Sequence, residues 1–91
     1  MYRIYKYDVS PDEFILDMPK GARILDVQTQ LHGVVIWALV DTSDPKESRR
    51  FLTVETGQGL PDSINEYIYI GTFQLPSGLV FHLFDAGYML K

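Results

Sequence analysis

The chain has no cysteine. That absence excludes disulfides, thiolate catalysis and cysteine-ligated zinc, and it agrees with a reducing compartment. Only two histidines remain as soft metal ligands. Neither stands in metal-ligand spacing, nor do the acidic residues form a calcium-loop pattern, so no metal and no cofactor is expected. Long apolar runs are missing too: the longest, residues 34–40, is strand length, far below the roughly 18 residues of a membrane helix. Behind Met1, the segment Tyr2-Arg3-Ile4-Tyr5-Lys6-Tyr7 alternates in character and has no apolar stretch of signal-peptide length. Residence in the cytosol, with no membrane partner, is the expectation. Positive charge is also short, with 8 Lys and Arg against 12 Asp and Glu and a formal charge of −4. That balance disfavours duplex nucleic acid, because phosphate neutralisation supplies most of such affinity. Repeats, heptads, low-complexity tracts and long amphipathic helices are absent as well.

What is present is β-forming sequence punctuated by turn residues. A chain of 91 residues, 46% apolar, makes one domain over residues 1–91, near the size at which small proteins gain stability by self-association. Residues 2–9 read as a first strand, ended by Ser10-Pro11-Asp12, where proline removes a ladder donor. Residues 14–18 read as a short second strand. Pro19-Lys20-Gly21 then supplies a fixed φ followed by a residue tolerant of positive φ, so the chain reverses there. Over residues 23–31, Leu25, Val27, Thr29 and Leu31 fall on one face and Ile24, Asp26, Gln28 and Gln30 on the other. After a turn at His32-Gly33, residues 34–40 are apolar on both faces, as in a central strand covered on both sides or facing a second subunit.

Residues 41–48 are the most polar stretch and read as an exposed loop with a mobile tip. Alternation resumes over residues 49–56. Residues 57–61 make a glycine-punctuated connection, and residues 62–66 have room for one helical turn. The last strands are residues 67–75 and 79–85, joined by Pro76-Ser77-Gly78, and residues 86–91 read as a tail. The expected fold is all-β: an antiparallel sandwich or open barrel of six or seven strands with at most one short helical turn.

Catalysis finds little support. An activated Ser or Thr needs a base within reach, and the imidazoles are His32, in a turn, and His82, between Val80 and Phe84 on a strand face. No enzyme is expected. The nearest approach to an anion cradle is Thr56-Gly57-Gln58-Gly59, whose backbone N–H groups have the freedom to converge on a phosphate, although it lacks a P-loop ending. Arg49 and Arg50 precede it on opposite faces of one strand, and a guanidinium there would meet a phosphate bidentately. Trp37 and Phe73 offer flat surfaces for a nucleobase, and the same aromatic enrichment suits a subunit interface. Gln28 and His82 would hydrogen-bond a ribose or base. The expected ligand-binding set is therefore Gln28, Trp37, Arg49, Arg50, Thr56, Gly57, Gln58, Gly59, Phe73 and His82.

In three blocks the chain resembles a family. These are Met18-Pro19-Lys20-Gly21-Ala22-Arg23-Ile24-Leu25-Asp26-Val27-Gln28, then Ile36-Trp37-Ala38-Leu39-Val40-Asp41, then Tyr69-Ile70-Gly71-Thr72-Phe73-Gln74 with Leu79-Val80-Phe81-His82-Leu83-Phe84. They resemble the small, functionally uncharacterised proteins encoded by tailed bacteriophages and prophages, over most of the chain and in the same order. Members commonly show Thr-Gly-His where this chain has Thr56-Gly57-Gln58, so a role that needs histidine there does not carry over. The resemblance implies a non-enzymatic accessory protein that counters bacterial immunity in the cytoplasm of the infected host. One such mechanism is a homo-oligomeric sponge that holds a nucleotide immune signal, of the cyclic ADP-ribose or cyclic oligonucleotide kind, at a subunit interface. The alternatives are a stoichiometric inhibitor of a host defence or CRISPR component, and a virion accessory protein.

Overall fold

The computed structural model describes residues 1–88. Seven strands follow in chain order: β1 Tyr2–Asp8, β2 Asp12–Pro19, β3 Arg23–Gln30, β4 Gly33–Asp41, β5 Lys46–Glu55, β6 Ile68–Gln74 and β7 Val80–Tyr88. A single 3₁₀ turn, Asp62–Glu66, interrupts the connection from β5 to β6. The strands form two antiparallel sheets, ordered β1-β4-β3 and β2-β5-β7-β6, which do not close into a barrel.

Alternation along each strand supplies the apolar layer between the sheets. Ile36, Ala38 and Val40 of β4 meet Phe14 and Met18 of β2, Phe51 of β5, Phe73 of β6 and Leu83 of β7 in one buried cluster. Phe51, Met18, Ile36, Leu83 and Val40 lose essentially all contact with solvent. Each such side chain contributes about 1.5–3 kcal/mol by leaving water. Phe14 stacks on Phe51 at a centroid distance of 5.3 Å, and Phe73 on Phe81 at 5.8 Å. The edges of the two sheets meet at β3 and β6, where the Thr29 hydroxyl donates to the Gln74 carbonyl at 2.9 Å. Gly71 makes that approach possible, since a Cβ there would stand 2.8 Å from Cγ1 of Val27.

The predicted turn at Pro19 closes with the Ala22 N–H donating to the Pro19 carbonyl at 3.1 Å and Gly21 at φ 78°. Three expectations are corrected. The loop over 41–48 is shorter, because β5 begins at Lys46 and the Asp44 N–H closes a turn on the Asp41 carbonyl at 3.0 Å. The tail over 86–91 is strand as far as Tyr88, whose ring lies 5.3 Å from the Arg49 guanidinium and whose hydroxyl accepts from the Gly21 N–H at 2.6 Å; residues 89–91 lie outside the described residues. The simple alternation over 23–31 fails because the register with β4 shifts between Ile24 and Asp26. Leu25 is the extra residue and stays exposed, so Ile24 joins the core in its place.

Candidate functional site on the outer face of the three-stranded sheet

The bulge at Leu25 decides what stands on the solvent side of the three-stranded sheet. With an uninterrupted period, Arg23 would share a face with the inward-pointing Val27. The extra residue instead places Arg23 opposite Leu39 and Asp26 opposite Trp37, all pointing outward. From the other flank, β1 sets Ile4 opposite Leu39 and Lys6 opposite Trp37. Trp37 is therefore half-buried in the middle of the face, with Lys6 on one side and Asp26 on the other. Its indole N–H donates to Oε1 of Gln28 at 2.8 Å, which fixes the ring and leaves the Gln28 amide N–H groups free to donate. Arg23 lies two positions along from Trp37 in register, about 7 Å away.

Beside this platform lies a cleft of about 480 Å³ lined by Lys6, Asp8, Gln30, Leu31, His32, Gly33 and Val35. Its size suits a small-molecule ligand. The two-residue loop Leu31-His32 between β3 and β4 forms one wall, and Lys6 and Asp8 of β1 form the other. Among the described residues neither Lys6 nor Arg23 takes part in an ion pair, so both cations are available to an anion. The face and its cleft thus carry one aromatic platform, two amides, two cations, an imidazole and the carboxylates of Asp8 and Asp26.

Of the residues expected to bind ligand, the structure brings Gln28 and Trp37 together here and places the others elsewhere. Arg49 is buried between the sheets, and its Nε donates to Oδ2 of Asp85 at 3.0 Å, with Nη2 bonded to the same oxygen. Its Nη1 donates to the Ala22 carbonyl at 2.6 Å. Burial opposes the charge on Arg49, and the hydrogen bonds and charge of Asp85 more than offset it, leaving the guanidinium above its usual pKa. It is a structural clamp, since Nε, Nη1 and Nη2 each already have a partner. Phe73 is likewise corrected, because it is a core residue stacked on Phe81. Arg50 points away from Arg49, as the strand period requires, onto the outer face of the four-stranded sheet, 4.0 Å from Glu13. It stands six positions from Thr56 along one strand, about 20 Å, so it cannot share a phosphate with the Gly57–Gly59 amides of the same protomer.

Thr56, Gly57, Gln58 and His82 do assemble, at one end of the four-stranded sheet. The Gln58 N–H donates to the Glu55 carbonyl at 3.0 Å, with Gly57 at φ 90° in the position that demands glycine. The Gln58 side chain accepts from the Glu55 N–H at 3.0 Å, which ties the turn to itself. Gly59 follows in the connection to the 3₁₀ turn. A bulge between Tyr69 and Gly71 sets Tyr69 and Thr72 on the same outward face, where their hydroxyls bond. Thr72 Oγ1 lies 2.8 Å from His82 Nδ1, and His82 Nε2 lies 2.8 Å from Thr56 Oγ1. Thr56 Oγ1 also reaches the Val80 carbonyl at 3.3 Å. One direction satisfies every contact: Tyr69 donates to Thr72, Thr72 to Nδ1, Nε2–H to Thr56, and Thr56 to Val80. In that direction Thr56 accepts from the imidazole and spends its own proton on a carbonyl, so it is not an activated nucleophile.

The sequence pattern does not mark Lys6, Arg23 or Gln30 as ligand-binding residues. His32 stands in a turn, as expected, and what that turn borders depends on β1, brought alongside by the fold. Comparison with curated proteins and with solved structures finds no match. A family model described as "Domain of unknown function (DUF7352)" matches residues 1–88, and the chain belongs to that family.

Proposed function

We propose that this member of the family is a non-enzymatic binding protein that holds a nucleotide on the outer face of its three-stranded sheet. In keeping with the phage resemblance, the ligand would be a nucleotide immune signal, sequestered in the cytoplasm of an infected host. The observation that carries the reading is the Trp37 indole, locked by Gln28 beside a cleft that holds Lys6 and His32. A base stacked on Trp37 gains about 1–3 kcal/mol. The Gln28 amide N–H groups would donate to acceptors on the base edge, and Lys6 or Arg23 would meet a phosphate with a charged hydrogen bond of about 1.5–3 kcal/mol. Among the described residues no serine or threonine hydroxyl lines the cleft, and in this reading the ligand leaves as it arrived.

The test is calorimetry of the protein with a panel of bacterial immune nucleotides, followed by heating the complex and identifying what is released. Recovery of an intact nucleotide supports sequestration, and recovery of a cleaved one refutes it. A second reading rests on Tyr2, Ile4 and Leu25, which are 74%, 60% and 42% exposed. Apolar side chains of that size suit contact with a protein, and the chain would then act as a stoichiometric inhibitor of a defence component. No binding to any nucleotide, together with a stable complex with such a component, would favour it.

A further inference from the structure

We propose that the open edge of β1 pairs antiparallel with β1 of a second copy of this chain, about a two-fold axis through Tyr5. The inference stands on the strand alone and does not depend on which ligand the outer face takes.

Four strands end a sheet, and three of them are guarded. β3 and β6 each carry a bulge and lie against one another. β2 is preceded by Pro11 and ends in Pro19. Bulges and prolines are the usual means by which an edge refuses a further strand. β1 has neither, pairs with β4 without a register shift, and is exposed at six of its seven positions. Across the sandwich, β2 packs against β4, so that β1 stands out at the rim. Tyr2, Ile4 and Tyr5 there remain 74%, 60% and 38% exposed.

The hydrogen-bond phase shows which groups point outward. The Val9 N–H donates to the Val34 carbonyl at 2.9 Å, and the Met1 carbonyl accepts from the Thr42 N–H at 2.8 Å. Odd-numbered residues therefore turn their backbone groups toward β4, and Tyr2, Ile4, Lys6 and Asp8 turn theirs to the free edge. A two-fold axis normal to the sheet keeps inward faces together, so paired residue numbers must have the same parity. Centring on Tyr5 sets Tyr2 opposite Asp8 and Ile4 opposite Lys6, which makes about eight backbone hydrogen bonds. The same register sets Arg3 opposite Tyr7, a cation facing an aromatic ring. Sliding by one pair in one direction puts Lys6 opposite Lys6 of the second copy, and in the other direction leaves Asp8 unpaired. The product is one six-stranded sheet, with the Trp37 faces of both protomers on the same side.

The absence of native cysteine makes the register directly readable. With Tyr5→Cys, the two sulfur-bearing residues face each other as a non-hydrogen-bonded pair with Cα atoms about 4.5 Å apart, within disulfide range. With Tyr2→Cys they lie about 20 Å apart. The expected results are rapid covalent dimerisation of Tyr5→Cys under mild oxidation, none for Tyr2→Cys, and a dimer mass for the wild type by light scattering at tens of micromolar. Ile4→Pro removes an N–H that β4 does not use, so it should weaken the dimer by about 100-fold while far-UV circular dichroism is retained. A monomeric wild type overturns the proposal. So does cross-linking through position 2 in preference to position 5, or a folded Ile4→Pro that dimerises as the wild type does. Should Ile4→Pro fail to fold, the two cysteine variants decide alone.

Discussion

Arg49→Ala provides a sharp test of the interior. The guanidinium and the Asp85 carboxylate are 11% and 6% exposed and bond to each other, while Arg49 also satisfies the Ala22 carbonyl and lies 5.8 Å and 5.3 Å from the rings of Phe51 and Tyr88. Truncation leaves Asp85 buried with one remaining partner, the Gly87 N–H at 2.8 Å. A stranded buried charge costs about 3–5 kcal/mol. Against a total stability of about 5–15 kcal/mol, that is a large share. It should lower the melting temperature by about 12–40 °C, at roughly 4–8 °C per kcal/mol for a domain of this size. The double variant Arg49→Met with Asp85→Leu removes both charges, and it should recover most of the loss. The assay is urea denaturation of wild type, Arg49→Ala, Arg49→Met, Asp85→Leu and the double variant, with the coupling energy read from the cycle of the last three against wild type. A loss below about 1 kcal/mol for Arg49→Ala, or additive single and double effects, would refute the clamp. If Arg49→Ala melted normally but lost ligand affinity, Arg49 would be restored to the binding set from which its burial removes it.

Gly71→Ala should destabilise by about 1–3 kcal/mol, because the added methyl must displace Val27 where β3 and β6 meet; a melting temperature equal to wild type would show that the contact yields. Trp37→Ala should leave a folded protein that melts somewhat lower and binds nucleotide at least 10-fold more weakly, measured by calorimetry. Lys6→Ala or Arg23→Ala should weaken nucleotide binding by about 1.5–3 kcal/mol at low salt with little change in melting, whereas Arg50→Ala should leave binding intact. The Ser43 hydroxyl and N–H hold Asp41, together with the terminal amine, at a pKa of about 2. A depressed carboxyl pKa gives stability that is present above the unfolded value near 4 and is lost as pH falls toward 2, so Asp41→Asn should flatten the melting curve over that window.

The strands were legible because apolar alternation and turn residues agree along most of the chain: Pro19 to Gly21 and Pro76 to Gly78 reverse it where expected, and residues 34–40 became the central strand β4. The proposed binding face was legible only at Gln28 and Trp37. A bulge at Leu25 shifts Arg23 to the outer face, and no periodicity reports an extra residue in advance. Arg49 read as a free cation because its partner, Asp85, lies 36 positions away in sequence and reaches it only once β5 and β7 pair. Phe73 read as a stacking surface for the same reason, since core and ligand platform look alike until burial is known. Lys6 gained significance only from standing opposite Trp37 across two strands.

Because Trp37 is the sole tryptophan, its emission reports on the proposed site and nowhere else. The most direct measurement is to titrate the protein with cyclic ADP-ribose-type and cyclic oligonucleotide signals while following that emission alongside the heat of binding. The account predicts saturable quenching that parallels the heat and that Lys6→Ala weakens. Binding heat with unchanged Trp37 emission, or no heat with any nucleotide of the panel, would contradict it.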